Sequence, residues 1–462
     1  MPAAQSPRAE PSPVASPRYR VLSLDGGGIY GLVTATWLRK IAEKQPRFLA
    51  EPTRKPGMEA PRPGEELSIL AGASSGAVNA LLLARHDSPR DALLSGEIEG
   101  FWKKAGVFSN SDPMASWLSF LGVGAWFGTD DLKGVLDEYF KDLRLKDLRH
   151  NVLIACFDWY GHDRKDFIDL SARPSAFPWM NGAQVDWSAL FKLAAKPQDK
   201  RSWRPRSFTN FLPHGTPKDW DYRVADLAYA ACAAAGFRAI IGGLGDAASF
   251  TVNPAMEAIT AFTYLERWWG RRSPTPTTLM GIQTQLTDAS YDHDALLASG
   301  HFLRDHQEED ELAGAATGPL GVLDEIGILS LGDGTLEPGF FLESFNLSTS
   351  QVQAFPTHPG TGNFFSPQTW LALDAPTRNI DDYTRIMIGP HRYMRLNPPV
   401  LSLPTLVASG IARFPWYRHW ILEQLIPAAV ASEPSTRALD WATRYLEQHW
   451  WLTNEQATAM LE

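Results

Sequence analysis

With 462 residues, 44% hydrophobic and 21% charged, the chain has the composition of a globular protein and the length for a large core. Its formal charge of −9 and pI near 5.7 argue against broad binding to nucleic-acid backbones, which takes a basic face. Two cysteines, Cys156 and Cys232, are too few for a disulfide framework and stand in no metal-ligand spacing.

Residues 1–17 are rich in Pro, Ala and Ser and have no apolar h-region, so they predict a disordered tail rather than a secretory signal. No later stretch approaches the roughly 20 apolar residues of a spanning helix. The expected location is the cytoplasm, with membrane contact at most peripheral. Order begins at Tyr19: "YRVLSL" predicts a buried strand, and the residues from Gly31 to Gln45 have helical spacing. Residues 46–66, crowded with Pro and charge, predict an exposed loop. "LSILAGASSGAVNALLLARHD" then repeats the order of strand, small-residue turn and helix, which predicts an α/β layered sheet. "RHNVLIACFDW" predicts a strand, "VADLAYAACAAAGF" a small-residue helix with Gly236 near its end, and "IGILSLGDGTL" a further strand. Residues 198–223 and 338–380 read as irregular, and the last sixty residues as helical.

The first strand runs into Gly26, Gly27 and Gly28, and Gly26, Gly28 and Gly31 satisfy the nucleotide pattern G-x-G-x-x-G. A dinucleotide site needs an acidic residue about 20 positions on, ending a second strand. Only Glu51 stands there, inside the proline-rich loop, and the charge of Asp25 would oppose a pyrophosphate. The alternative is an anion-binding nest of glycine N–H groups, suited to the oxyanion of acyl transfer. A second motif favours it. Gly72-Ala73-Ser74-Ser75-Gly76 is a G-x-S-x-G nucleophile elbow, in which a tight strand-to-helix turn presents the Ser74 hydroxyl above the sheet. Ser75, without glycines at −2 and +2, is the weaker nucleophile.

A glycine triplet after the first strand, followed by G-x-S-x-G after the next, resembles the patatin-like phospholipases. The resemblance implies a three-layer α/β/α sandwich with a mostly parallel central sheet over residues 18–400, its catalytic motifs within 21–256. A helical extension over 401–462 would pack on it. It also implies a Ser-Asp dyad without histidine, with Ser74 as nucleophile. Gly26, Gly27 and Gly28 would form the oxyanion hole, the N–H groups of Gly27 and Gly28 facing the oxyanion. Gly31, Gly72 and Gly76 complete the motifs. Tyr30 departs from the family, which often has Arg or Lys there.

Two aspartates compete for the dyad. Asp333, in "LSLGDGT", resembles a later, non-catalytic family strand, whereas Asp246 leads to Asn253-Pro254 and a helix, as the family's aspartate does. Asp246 is therefore the expected general base, although Ala247 stands where Gly is usual. "YMRLNPP" (Tyr393 to Pro399) is a weaker late match, and Asp158 is expected to pack near the site without doing chemistry. The implied function is a lipid acyl hydrolase, of phospholipase A or lysophospholipase type, acting on a lipid or phospholipid. It uses no cofactor, no metal and no nucleic acid. The alternatives are a lipid-binding or scaffold protein without turnover and, on the opening loop alone, a nucleotide-dependent oxidoreductase.

Other clusters carry less. His293, His301, His306, His358 and His391 stand in no catalytic context, and His301 and His306 with their acidic neighbours predict a solvated loop. Among 17 tryptophans, Trp416, Trp420, Trp441, Trp450 and Trp451 are expected in core and inter-helix packing. Around Trp102, Trp117 and Trp126 core packing is expected, although within 114–127 contact with a bilayer interface is nearly as much expected.

Overall fold

A computed structural model describes residues 17–54, 61, 64–109, 127–158, 180–181, 184–185, 204–212, 217–234, 238, 240, 243–272, 321–333, 379–389, 392–397, 408–409, 412 and 414–449. The apolar run Tyr19–Leu24 forms β1 and the helix Gly31–Lys44 (α1) follows the glycines; Leu67–Ala73 (β2) and Ser75–Ala84 (α2) repeat the unit. Asn151–Asp158 is β3, buried throughout, and Arg204–Thr209 is β4. Val224–Ala231 (α3), Leu244–Asp246 (β5) and Ala255–Arg272 (α4) follow, then Ile326–Leu331 (β6) and Tyr393–Leu396 (β7).

These strands form one seven-stranded sheet, ordered β4-β3-β2-β1-β6-β7, with β5 also paired to β3. The β1–β2, β1–β6, β2–β3 and β6–β7 pairs are parallel, while β4 and β5 run antiparallel to β3. Alternation along the strands divides the core in two, because successive side chains leave opposite faces. Leu22 and Leu24 of β1 and Leu70 of β2 pack with Trp37, Leu81 and Leu227 from α1, α2 and α3. Tyr19, Val21 and Ile69 pack on the other face with Ile259, Phe262 and Leu265 of α4. The result is a mixed α/β sheet with helices on both faces, as expected.

The C-terminal residues join the first of these cores. Pro415–Trp420, a wide π turn over Ile421–Leu425 and Ile426–Ala431 form one running helix, followed by Glu433–His449 (α5). Pro427 explains the wide turn, since proline lacks an N–H and its ring crowds the carbonyl four residues back. Ile421, Ile426 and Leu446 are buried beside α1, and the Trp37 indole N–H donates to Ser435 Oγ at 2.8 Å.

Several sequence expectations change. The stretch 198–223 is not irregular throughout: it holds β4 and a short helix, Pro217–Trp220. Strand β4 was hidden because "RPRSFT" carries Arg and Pro, which a strand at the sheet edge tolerates. The 46–66 loop is exposed only in part, since Phe48, Leu49 and Arg54 are buried. The small-residue helix ends at Ala231, five residues before Gly236, which lies outside the described residues. Trp416 and Trp441 are not core residues but are 66% and 60% exposed. Trp102 is buried, while Trp117, Trp126, Trp450, Trp451, residues 1–16 and residues 338–378 lie outside the described residues, as do His293, His301, His306, His358 and His391.

Candidate active site

Ser74 follows the last residue of β2 and precedes the first of α2, with φ 49° and ψ −124°. A positive φ on a residue with a Cβ stores strain and lifts the side chain out of the sheet, as a nucleophile elbow requires. The motif glycines allow the elbow to close. A Cβ on Gly76 would stand 2.0 Å from the carbonyl oxygen of Leu24, so the turn packs directly on the end of β1. Gly72, opposite Leu24 in the β1–β2 pairing, has the backbone of Ala77 over it in the same way.

The register of β3 brings Asp246 to this serine. Strands β2 and β5 share one edge of β3 and approach from opposite directions. Ala73 pairs with Ala155, and Asp246 pairs with the next residue, Cys156. The two chain ends therefore meet, and Ser74 Oγ–H donates to Asp246 Oδ2 at 2.6 Å. The other carboxylate oxygen accepts the Ala248 N–H at 2.9 Å. Burial pushes the Asp246 carboxyl up to about 6, against the hydrogen bonds from Ser74 and Ala248, which favour the ionised form. A carboxylate held there is a stronger base than a free one, yet still ionised at neutral pH.

The glycine loop covers the serine from the β1 side. A Cβ on Gly26 would lie 2.7 Å from the Ser74 Cβ, which is why no side chain stands there. The N–H groups of the three glycines differ in state. The Gly26 N–H donates to the Val252 carbonyl at 2.9 Å, tying this loop to the segment after Asp246. The Gly27 N–H donates to Ser75 Oγ at 2.7 Å. Gly28, with φ 53°, is the one of the three whose N–H has no acceptor among the described residues. Gly26 and Gly27 are thus engaged within the protein, so of the two N–H groups expected to face the oxyanion, that of Gly27 is held by Ser75 and that of Gly28 has no acceptor among the described residues. Helix α2 begins after Ser74 without a side-chain cap, so its N-terminal end, the positive end of the helix dipole, adjoins the serine.

Gly31 opens α1, and its carbonyl accepts from Asn79 of α2, whose amide oxygen accepts the Trp102 indole N–H. These buried bonds hold the loop and the elbow together. Asp333 lies against Gly27 and does not receive the Ser74 hydroxyl. Asp158 ends β3, opposite Leu244 of β5. Asp25 is buried and pairs with Arg395 at 2.5 Å. Among the described residues no group of three or more His, Cys, Asp or Glu is placed to hold a metal ion.

Sequence reasoning missed the hydroxyl of Ser75 as an acceptor, the Val252 carbonyl and Arg395. For Arg395 the one available signal was "YMRLNPP"; for Val252 there was none. A family model described as patatin-like phospholipase matches residues 22–253, half of the chain, spanning the glycine loop, the elbow and Asp246. No curated protein matches the chain.

Proposed function

Since the chain belongs to the patatin-like phospholipase family, which implies lipid acyl hydrolase activity, we propose that it cleaves fatty-acyl esters through a Ser74–Asp246 dyad. The observation that carries this reading is the 2.6 Å hydrogen bond from Ser74 Oγ to a buried carboxylate. Asp246 accepts the hydroxyl proton as Oγ attacks the ester carbonyl. The tetrahedral oxyanion forms against the Gly28 N–H and the N-terminal end of α2. Collapse expels the alcohol, which takes the proton back from Asp246 and leaves an acyl group on Ser74. Asp246 then removes a proton from water, which attacks the acyl-enzyme; as the fatty acid leaves, Ser74 Oγ takes that proton back from Asp246.

The substrate class follows from the same reading: a phospholipid or lysophospholipid. Access to a lipid surface is supported by Phe414, Trp416 and Tyr417, exposed together beside Arg418 and His419, since amphipathic aromatics favour the bilayer interface. No helix among the described residues is long and apolar enough to cross a membrane. A lipid panel assayed with wild type and Ser74→Ala tests the proposal. Fatty-acid release by wild type alone supports it, and equal release by both refutes it.

The engaged state of Gly26 and Gly27 favours one competing reading, a lipid-binding protein with little turnover. Covalent labelling by a fluorophosphonate separates the two, because a protein that only binds lipid does not react at Ser74.

A further inference from the structure

Two residues of β7, outside the region matched by the family model, reach both halves of the site. Strand β7 pairs with β6, which pairs with β1, so that Ser23, Ser330 and Arg395 stand in one row across three strands. Arg395 crosses over β6. Its Nη1 donates to Ser330 Oγ at 2.7 Å, and its Nη2 meets Asp25 Oδ2 at 2.5 Å. Asp25 directly precedes Gly26, and its N–H is fixed on the Leu331 carbonyl. Asp25 is buried and Arg395 nearly so, their side chains 3% and 10% exposed. Two residues before Arg395 on the same face, the Tyr393 hydroxyl accepts from Asn253 Nδ2 at 3.3 Å, and Asn253 Oδ1 accepts from Ser23. Asn253 belongs to the segment that follows Asp246 and also holds Gly26 through Val252.

The charges explain why a cation is needed there. The glycine loop from Gly26 to Gly31 carries none. Carboxylates flank it: Asp25 at its base and Asp333 against Gly27, with Asp381 also acting on Asp25. Burial raises the Asp25 carboxyl to about 6 even with the guanidinium beside it. An oxyanion growing next to an uncompensated carboxylate in a buried site would be strongly disfavoured.

We propose that Arg395 is a positioning residue for the oxyanion loop: through Asp25 it fixes the base of the loop and offsets the carboxylate charge beneath the oxyanion. The inference rests on the acyl-hydrolase reading above. Arg395 does not touch substrate; its effect on turnover passes through Asp25. Substrate binding outside the loop is untouched, so the effect falls on kcat more than on KM.

The test is steady-state hydrolysis of a soluble nitrophenyl acyl ester by wild type, Arg395→Met, Arg395→Lys, Asp25→Asn and the double variant Asp25→Asn/Arg395→Met. Arg395→Met is expected to lower kcat about 30-fold or more, approaching the loss of an oxyanion donor, with KM within about 3-fold. Arg395→Lys keeps the charge but not the fork and falls between. The double variant removes both members of the Asp25–Arg395 pair, leaving neither partner buried alone, so it is expected to be several-fold faster than Arg395→Met although it carries one more change. A folded Arg395→Met with wild-type kcat overturns the proposal, as does a double variant whose loss is the product of the two single losses. Should Arg395→Met not fold, the double variant decides: a kcat about tenfold below wild type supports the proposal and an unchanged kcat overturns it. An active wild type whose variants keep their kcat overturns this inference alone. A wild type without Ser74-dependent hydrolysis overturns the acyl-hydrolase reading, and this inference with it.

Discussion

Asp246 meets Ser74 because their strands end head to head on one edge of β3, Ala73 opposite Ala155 and Asp246 opposite Cys156. The hydrogen bond between them is thus fixed by sheet register rather than by a loop. Register is a stiff constraint, since a slip of one residue turns every side chain to the opposite face.

That stiffness makes the length of the base critical. Asp246→Glu keeps a carboxylate but adds a methylene against a serine already at 2.6 Å. It is expected to lower kcat for a nitrophenyl ester by about 10²-fold, the cost of misplacing a reacting group by about an ångström. Activity within a few-fold of wild type would show that the register does not set the geometry.

The raised Asp246 carboxyl has two consequences with opposite signs. In the proposed dyad activity needs the ionised form, so kcat/KM is expected to rise with pH through about 6 and then level off. Stability runs the other way. Between the ordinary 3.8 and about 6 the folded state holds a proton that the unfolded chain has lost, so this group's contribution to stability falls as pH rises through that window. Asp246→Asn removes the penalty. Denaturant unfolding is expected to find the variant more stable than wild type by up to about 3 kcal/mol above pH 7, with the difference vanishing below about pH 4. Asp25 is shifted in the same direction but is common to both proteins, so the difference isolates Asp246.

Gly76→Ala opposes propensity to packing. In a helix, alanine is favoured over glycine by about 1 kcal/mol. Here the new Cβ would stand 2.0 Å from the Leu24 carbonyl oxygen, and backbone cannot swing aside as a long side chain can. Overpacking typically costs about 1–3 kcal/mol, and a backbone clash this close belongs at the upper end, so a net loss of about 1–2 kcal/mol is expected in denaturant unfolding. A neutral or stabilising result would mean that the elbow and β1 are not packed as described.

The exposed aromatics give a prediction at the lipid surface. Trp416 and Tyr417 stack at 4.0 Å and stand in solvent. Trp416→Ala with Tyr417→Ala is expected to weaken partition onto phosphatidylcholine vesicles about tenfold, by removing two interfacial anchors. Hydrolysis of vesicle lipid should fall more than hydrolysis of a soluble ester. Equal losses on both substrates would place these residues in folding rather than in lipid contact.

What the sequence made legible was local. Both strand-turn-helix units are written in contiguous apolar runs and small residues, and Ser74 is marked by the glycines two before and two after it. Asp246 is singled out in the sequence by Pro254, which follows it. Strand β4 was missed because its Arg and Pro are tolerated only at a sheet edge, which a local reading does not see. The engagement of Gly26 and Gly27, and the reach of Arg395 to Asp25 across 370 residues, depend on strand order. Strand order has no local signature. The exposure of Trp416 was misjudged for a related reason: its neighbours Leu422 and Ile426 are buried, but it lies on the opposite side of the same helix.

Whether Asp246 is the base is decided by the kcat of Asp246→Asn for a nitrophenyl acyl ester, compared with Asp333→Asn under the same conditions. A loss of about 10³-fold or more is expected for Asp246→Asn, as for a member of a nucleophile–base pair, and a far smaller one for Asp333→Asn. An active Asp246→Asn beside an inert Asp333→Asn would contradict that role for Asp246.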